Sequence, residues 1–129
     1  MKRLSISFCV VLFFSCQFCY AQHTVNPEAK KLTDSAQMLG ETRWALKHMP
    51  RVTRDSLYRM KLTVLNKAIH IDGDYFEAIY YKFILLDQLK DDRGALVVAK
   101  RALQLKPNAS WLKYSIGLAY DRIGDSVAA

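Results

Sequence analysis

The sequence predicts an all-α fold, a stack of antiparallel helix pairs numbering about 2.5–3, and three observations predict it. First, the chain matches itself at an offset of 34 residues: Ala68 falls on Ala102, Ile71 on Leu105, Tyr80 on Tyr114, Asp87 on Asp121 and Asp91 on Asp125. Second, apolar residues recur at helical three-and-four spacing. The clearest stretch is Ala95, Leu96, Val98, Ala99, Ala102, Leu103 and Leu105, with Lys100, Arg101, Gln104 and Lys106 mostly on the other face. Third, turn residues separate the periodic stretches, at Asp72-Gly73-Asp74, at residues 89–94 and at Pro107-Asn108. Such a period marks helix-turn-helix units, each of which buries its apolar stripe only against its neighbours.

Residues 1–21 read as a secretory signal peptide. Lys2 and Arg3 precede an apolar run over residues 4–21, and Cys19-Tyr20-Ala21 puts small residues at the two positions a signal peptidase inspects, so cleavage is expected before Gln22. Two alternatives stand beside cleavage. The run is at the short edge of the roughly 20 residues that span a bilayer, which leaves a retained anchor open. Phe13-Phe14-Ser15-Cys16 loosely resembles a bacterial lipoprotein processing box, in which Cys16 would carry the lipid. The expected location is exported, either periplasmic or associated with an outer membrane. All three cysteines, Cys9, Cys16 and Cys19, fall in this segment, so the processed chain has no disulfide framework or thiolate chemistry.

About 108 of the 129 residues remain after cleavage, enough for one thin continuous core. Losing Lys2 and Arg3 takes the bases from 19 to 17 against 12 acids, a net charge of about +5. The two signs are interspersed and read as solvated surface; an acidic protein, a lipid headgroup or a polyanion is the alternative reading. Nucleic acid is not an expected partner, since no motif for it is present.

Residues 22–54 are expected to form an N-terminal helix and an irregular connection. Ala29, Leu32, Ala36 and Leu39 keep helical spacing, and Pro27 suits a first turn. That helix is expected to continue, kinked, to about Lys47 and to turn at Met49-Pro50, because Gly40, His48 and Pro50 interrupt the period. Thr53 or Asp55 is expected to cap the next helix, which runs to about Ile71 and opens the repeats over residues 55–129. Pro107 lacks an amide hydrogen and disfavours helical backbone at Lys106, so it stops the helix before it.

The residues that carry the period resemble the tetratricopeptide repeat. The best copy spans residues 76–109, with Ala95 and Ala102 as the small residues of its second helix, Leu105 closing that helix and Pro107-Asn108 as the exit turn. An incomplete copy follows over residues 110–129, where Ile116-Gly117 and Tyr120 fit the first helix and Gly124-Asp125 would supply the turn to a second. A poorer copy precedes both, carried by Val64, Leu65, Ala68 and Ile71. Three residues depart from the pattern: Phe83 where a small residue is usual, Lys82 where a large apolar one is, and Ala99 where an aromatic is.

This resemblance implies a right-handed superhelical stack whose first helices line a concave face. Carried over residue by residue, the face takes in Glu77, Tyr80, Ile84 and Asp87 from one copy, and Trp111, Tyr114, Leu118 and Asp121 from the next. A shallow groove for a peptide or protein is implied, aromatic side chains being frequent interface anchors. In the alternative reading Trp111 and the tyrosines pack between adjacent helices as core.

Catalytic residues, metal ligands and cofactors are not expected. His23, His48 and His70 form no ligand pair, and Asp72-Gly73-Asp74 lacks the remaining ligands of a calcium loop. Neither a phosphate loop nor a nucleophile elbow is present. The sequence therefore leads to a non-catalytic protein–protein interaction scaffold of the bacterial envelope, with a lipid-anchored assembly or structural lipoprotein as the second reading. Membrane attachment would come only through an uncleaved leader or a lipid. The unfinished last copy leaves an apolar helix face that more chain, a partner or a second copy is expected to cover.

Overall fold

A computed structural model describes residues 23–39 and 43–128. The expected leader, the expected cleavage site before Gln22 and Cys16 lie outside the described residues. Among those described there are six helices and no strand: α1 (Pro27–Met38), α2 (Arg43–His48), α3 (Arg51–Ile71), α4 (Phe76–Gln88), α5 (Asp92–Leu105) and α6 (Ser110–Ala128). α1 packs on α3, α3 on α4, α4 on α5 and α5 on α6, so apart from the short α2 each helix covers the one before it.

α1 starts where Asn26 accepts hydrogen bonds from the amides of Glu28 and Ala29, with Pro27 just inside the helix. Ala29, Thr33 and Ala36 form its buried stripe, and the Thr33 hydroxyl donates to the Ala29 carbonyl at 2.9 Å, which satisfies it inside the core. The helix does not continue to Lys47 as its period suggested. Leu39 turns to extended backbone ahead of Gly40, and a separate helix, α2, takes residues 43–48. Nor do Thr53 and Asp55 cap α3. Pro50 does, with φ −53° and ψ 144°, and its carbonyl accepts from the Arg54 amide at 3.0 Å. Proline's fixed φ favours that place at a helix entry, so α3 begins at Arg51.

The 34-residue period is visible in the helix ends. α3 stops at Ile71 and α5 at Leu105, and the next amides, of Asp72 and Lys106, donate to the carbonyls of Ala68 and Ala102. The Tyr75 amide then donates to Asp72 and the Ala109 amide to Lys106, and α4 and α6 begin at Phe76 and Ser110. Burial repeats too: Leu65 with Ala99, Ala68 with Ala102, Ala78 with Leu112, and Leu85 with Ala119 are all buried.

Two clusters make the core. Ala29, Ala36, Leu65, Ala68, Tyr75, Ala78 and Leu85 form the first, and Ile79, Phe83, Ala95, Ala99, Ala102 and Leu112 the second. α4 contributes to both, so it is apolar on two sides, as a central helix must be. Phe83 and Ala99, which stand where the resemblance implies a small residue and an aromatic, are both buried in the second cluster.

The turn between α4 and α5 ends α4 with a left-handed residue, Lys90 at φ 62°, and with amide bonds from Lys90 to Asp87 and from Asp91 to Leu86. Asp91 then caps α5 by accepting from the Gly94 amide at 2.9 Å. This turn is not repeated at Gly124-Asp125, contrary to the sequence expectation; α6 runs straight through to Ala128. The α4–α5 turn is held by the packing of α5 back on α4, and no described helix follows Gly124-Asp125 to hold a turn there.

Candidate functional site

α4 and α6 both open after a tight turn and start one period apart, which brings their first turns together across the end of α5. Trp111, 44% exposed, meets Tyr80 edge to face with ring centroids 4.9 Å apart, and meets Phe76 in the same manner at 6.5 Å. Phe76 and Tyr80 stack at 6.0 Å. Lys106 places its Nζ 3.7 Å from the centre of the Phe76 ring and 3.9 Å from Glu77. Aromatic pairs of this geometry are worth about 0.5–1.5 kcal/mol beyond area burial, so these contacts favour a joined ring cluster whose Trp111 edge reaches solvent.

The eight residues of the expected groove therefore divide. Tyr80 and Trp111 come together, with Tyr80 half-buried between helices and Trp111 half-exposed beside it. Tyr114, Leu118 and Asp121 follow Trp111 along one stripe of α6 and are exposed, Tyr114 by 69%. Glu77 is engaged by Lys106. Asp87 is held by Arg122 at 2.6 Å, and the same guanidinium reaches Asp92 at 2.7 Å, tying α6 to the α4–α5 turn. The hydrogen bond to Asp92, with Asp87 close by, raises the Arg122 pKa above its ordinary value despite partial burial. Sequence spacing gave no sign of Arg122, since its partners lie 30 and 35 residues away.

Ile84 belongs elsewhere. It lines a cavity of about 610 Å³ bounded by α1, α2, α3 and α4, together with Leu46, Tyr58, Leu65, Tyr81 and Leu85. Lys47, Arg54 and Lys61 also border it, and among the described residues no acidic one does.

At the opposite end of α3, Asp72 is buried and acts as a joint for the N-terminal segment. Its carboxylate accepts from the amides of Asn26 at 2.9 Å and Asp74 at 3.3 Å, and Nε2 of His23 lies 2.8 Å away. Burial pushes the Asp72 carboxyl up, but the two amide hydrogen bonds and His23 outweigh it and hold the group below its ordinary value. Asp74 in turn pairs with Arg101 of α5. The aspartates of this turn thus tie the N-terminal segment and α5 to the end of α3.

Among the described residues no cluster of histidine, cysteine and carboxylate groups could hold a metal ion, and no helix is long and apolar enough to cross a membrane. No protein-family model matches this chain, and neither the curated proteins nor the solved structures contain a match to it.

Proposed function

We propose that this chain is a non-catalytic scaffold of the tetratricopeptide-repeat kind, exported to the bacterial envelope, that takes a peptide or protein segment on the face shared by α4 and α6. The observation that carries this reading is the run of Trp111, Tyr114 and Leu118: three large side chains on one stripe of α6, each exposed, beginning at the joined ring cluster. Large apolar groups kept in water along one line are costly unless something covers them, and aromatic anchors of this type dominate binding energies. The 34-residue recurrence of helix ends supports repeat stacking, and the right-handed superhelix is part of the same proposal.

The test separates binding from folding. Peptides selected by display against residues 22–129 are titrated by fluorescence anisotropy on the wild type and on a Tyr114→Ser/Leu118→Ser variant. Hot-spot loss of about 2 kcal/mol weakens affinity about 30-fold while the melting temperature stays unchanged. Peptides that bind both proteins equally, or a variant that no longer folds, would overturn the assignment. Mass spectrometry of the mature N-terminus distinguishes cleavage before Gln22 from a lipid on Cys16 or a retained leader.

A further inference from the structure

The cavity between α1 and α4 is a place where the repeat departs from its own register. Arg54, Tyr58, Lys61 and Leu65 follow one another at four-three-four spacing, so they share one face of α3. Leu65 at the inner end is buried. One period later the same face of α5 carries Ala95 and Ala99 in place of Lys61 and Leu65, and both are fully buried. Where the second pair of helices closes on alanine, the first presents a lysine and stays open. α3 also begins at Arg51, whereas the register equivalent of its eighth residue, Tyr58, is Asp92, the first residue of α5. Its first two turns therefore project past the repeat unit, and they carry Arg54 to the cavity.

The lining has two parts. Leu46, Leu65, Ile84 and Leu85, with the rings of Tyr58 and Tyr81, make it mainly apolar. Lys47 and Arg54 bring positive charge from α2 and α3, and among the described residues neither pairs with a carboxylate. Lys61 is half-buried and donates to the Gln37 carbonyl at 3.4 Å, which fixes a third cation where α3 meets α1. Lys47 and Arg54, set against an apolar wall with no acidic side chain among its described lining residues, favour an anion that also brings apolar surface. The volume lies within the usual range of about 300–1,000 Å³ for small-molecule sites.

We propose that this cavity binds a small amphiphilic carboxylate, an acyl chain lying against the leucines and tyrosines with its head group at Arg54 and Lys47. The site is separate from the α6 stripe and stands or falls without it.

Calorimetric titration of the mature chain with dodecanoate, its methyl ester and acetate tests the assignment. Expected is one saturable dodecanoate site, with the ester at least about tenfold weaker and acetate silent, since head and chain both contribute. Arg54→Gln and Lys47→Gln each weaken dodecanoate severalfold and leave the melting temperature of the free protein unchanged, while Lys113→Gln on α6 changes nothing. Equal binding of acid and ester, undiminished binding in the Arg54→Gln/Lys47→Gln double variant, or no saturable binding would overturn it. So would a peptide with a free C-terminal leucine that binds where dodecanoate does not.

Discussion

Leu112 is fully buried at the start of α6, in the cluster shared with Ile79, Phe83 and the alanines of α5. Leu112→Ala removes three carbon groups, about 2.4 kcal/mol at about 0.8 kcal/mol each. Any void that fails to collapse adds about 24 cal/mol per Å³, giving an expected loss of about 2.5–4 kcal/mol. Against a total of about 5–15 kcal/mol this is a large fraction, and at about 4–8 °C per kcal/mol the melting temperature falls by at least about 10 °C. Because α6 packs chiefly on α5, the damage is expected to be local. Native-state hydrogen exchange should show α6 amides losing protection well before those of α3. Leu65→Ala, in the cluster joining α1, α3 and α4, should instead lower protection in all three helices together. Urea unfolding followed by far-UV dichroism gives the totals. A loss under about 1 kcal/mol for Leu112→Ala, or equal protection loss in α3 and α6, would refute end-to-end stacking as the source of stability.

Asp72 has a folded pKa held below its ordinary 3.8, so its contribution is present above that value and is lost as pH falls through the lower, folded one. Asp72→Asn should therefore flatten the acid limb of stability against pH below 3.8, measured by urea unfolding across that range. Asp91→Ala removes the α5 cap and should cost about 0.5–2 kcal/mol by the same measurement. Lys90→Gly relieves a left-handed backbone and should stabilise by up to about 1 kcal/mol in thermal melts. Phe83→Ala and Ala99→Phe should be coupled, the double variant differing from the summed single effects by about 0.5–3 kcal/mol in a double-mutant cycle.

Helix identity, the three inter-helix turns from Ile71 onward and the buried alanines were legible because each has a local cause. The 3.6-residue period selects Ala95, Ala99 and Ala102, and Pro107 ends α5 whatever surrounds it. Errors fell where two local signals compete. Leu39 continues the apolar period, but Gly40 follows it and the helix stops. Thr53 and Asp55 are good caps, but Pro50 precedes them with its φ already set. Gly124-Asp125 has turn composition, yet no described helix follows it to pack back as α5 packs on α4, and α6 runs on through it. The candidate site was only half legible for a different reason. Which of two equivalent side chains is buried depends on the neighbour above it, and the chain's own period does not encode that.

Tyr80 and Tyr114 occupy the same register position, yet Tyr80 is half-buried against Trp111 while Tyr114 is 69% exposed. Asp87 and Asp121 repeat the contrast, the first clasped by Arg122 and the second exposed. The difference is α6 itself, which covers part of α4 and has no described helix on its own outer face. A helix added beyond α6 in the same register would take up the exposed stripe just as α6 took up that of α4. Partner binding on Trp111, Tyr114 and Leu118 and extension of the stack therefore compete for one surface. An occupant of either kind should protect the same amides and quench the same tryptophan, and only the stoichiometry, one partner or a second copy of this chain, tells them apart.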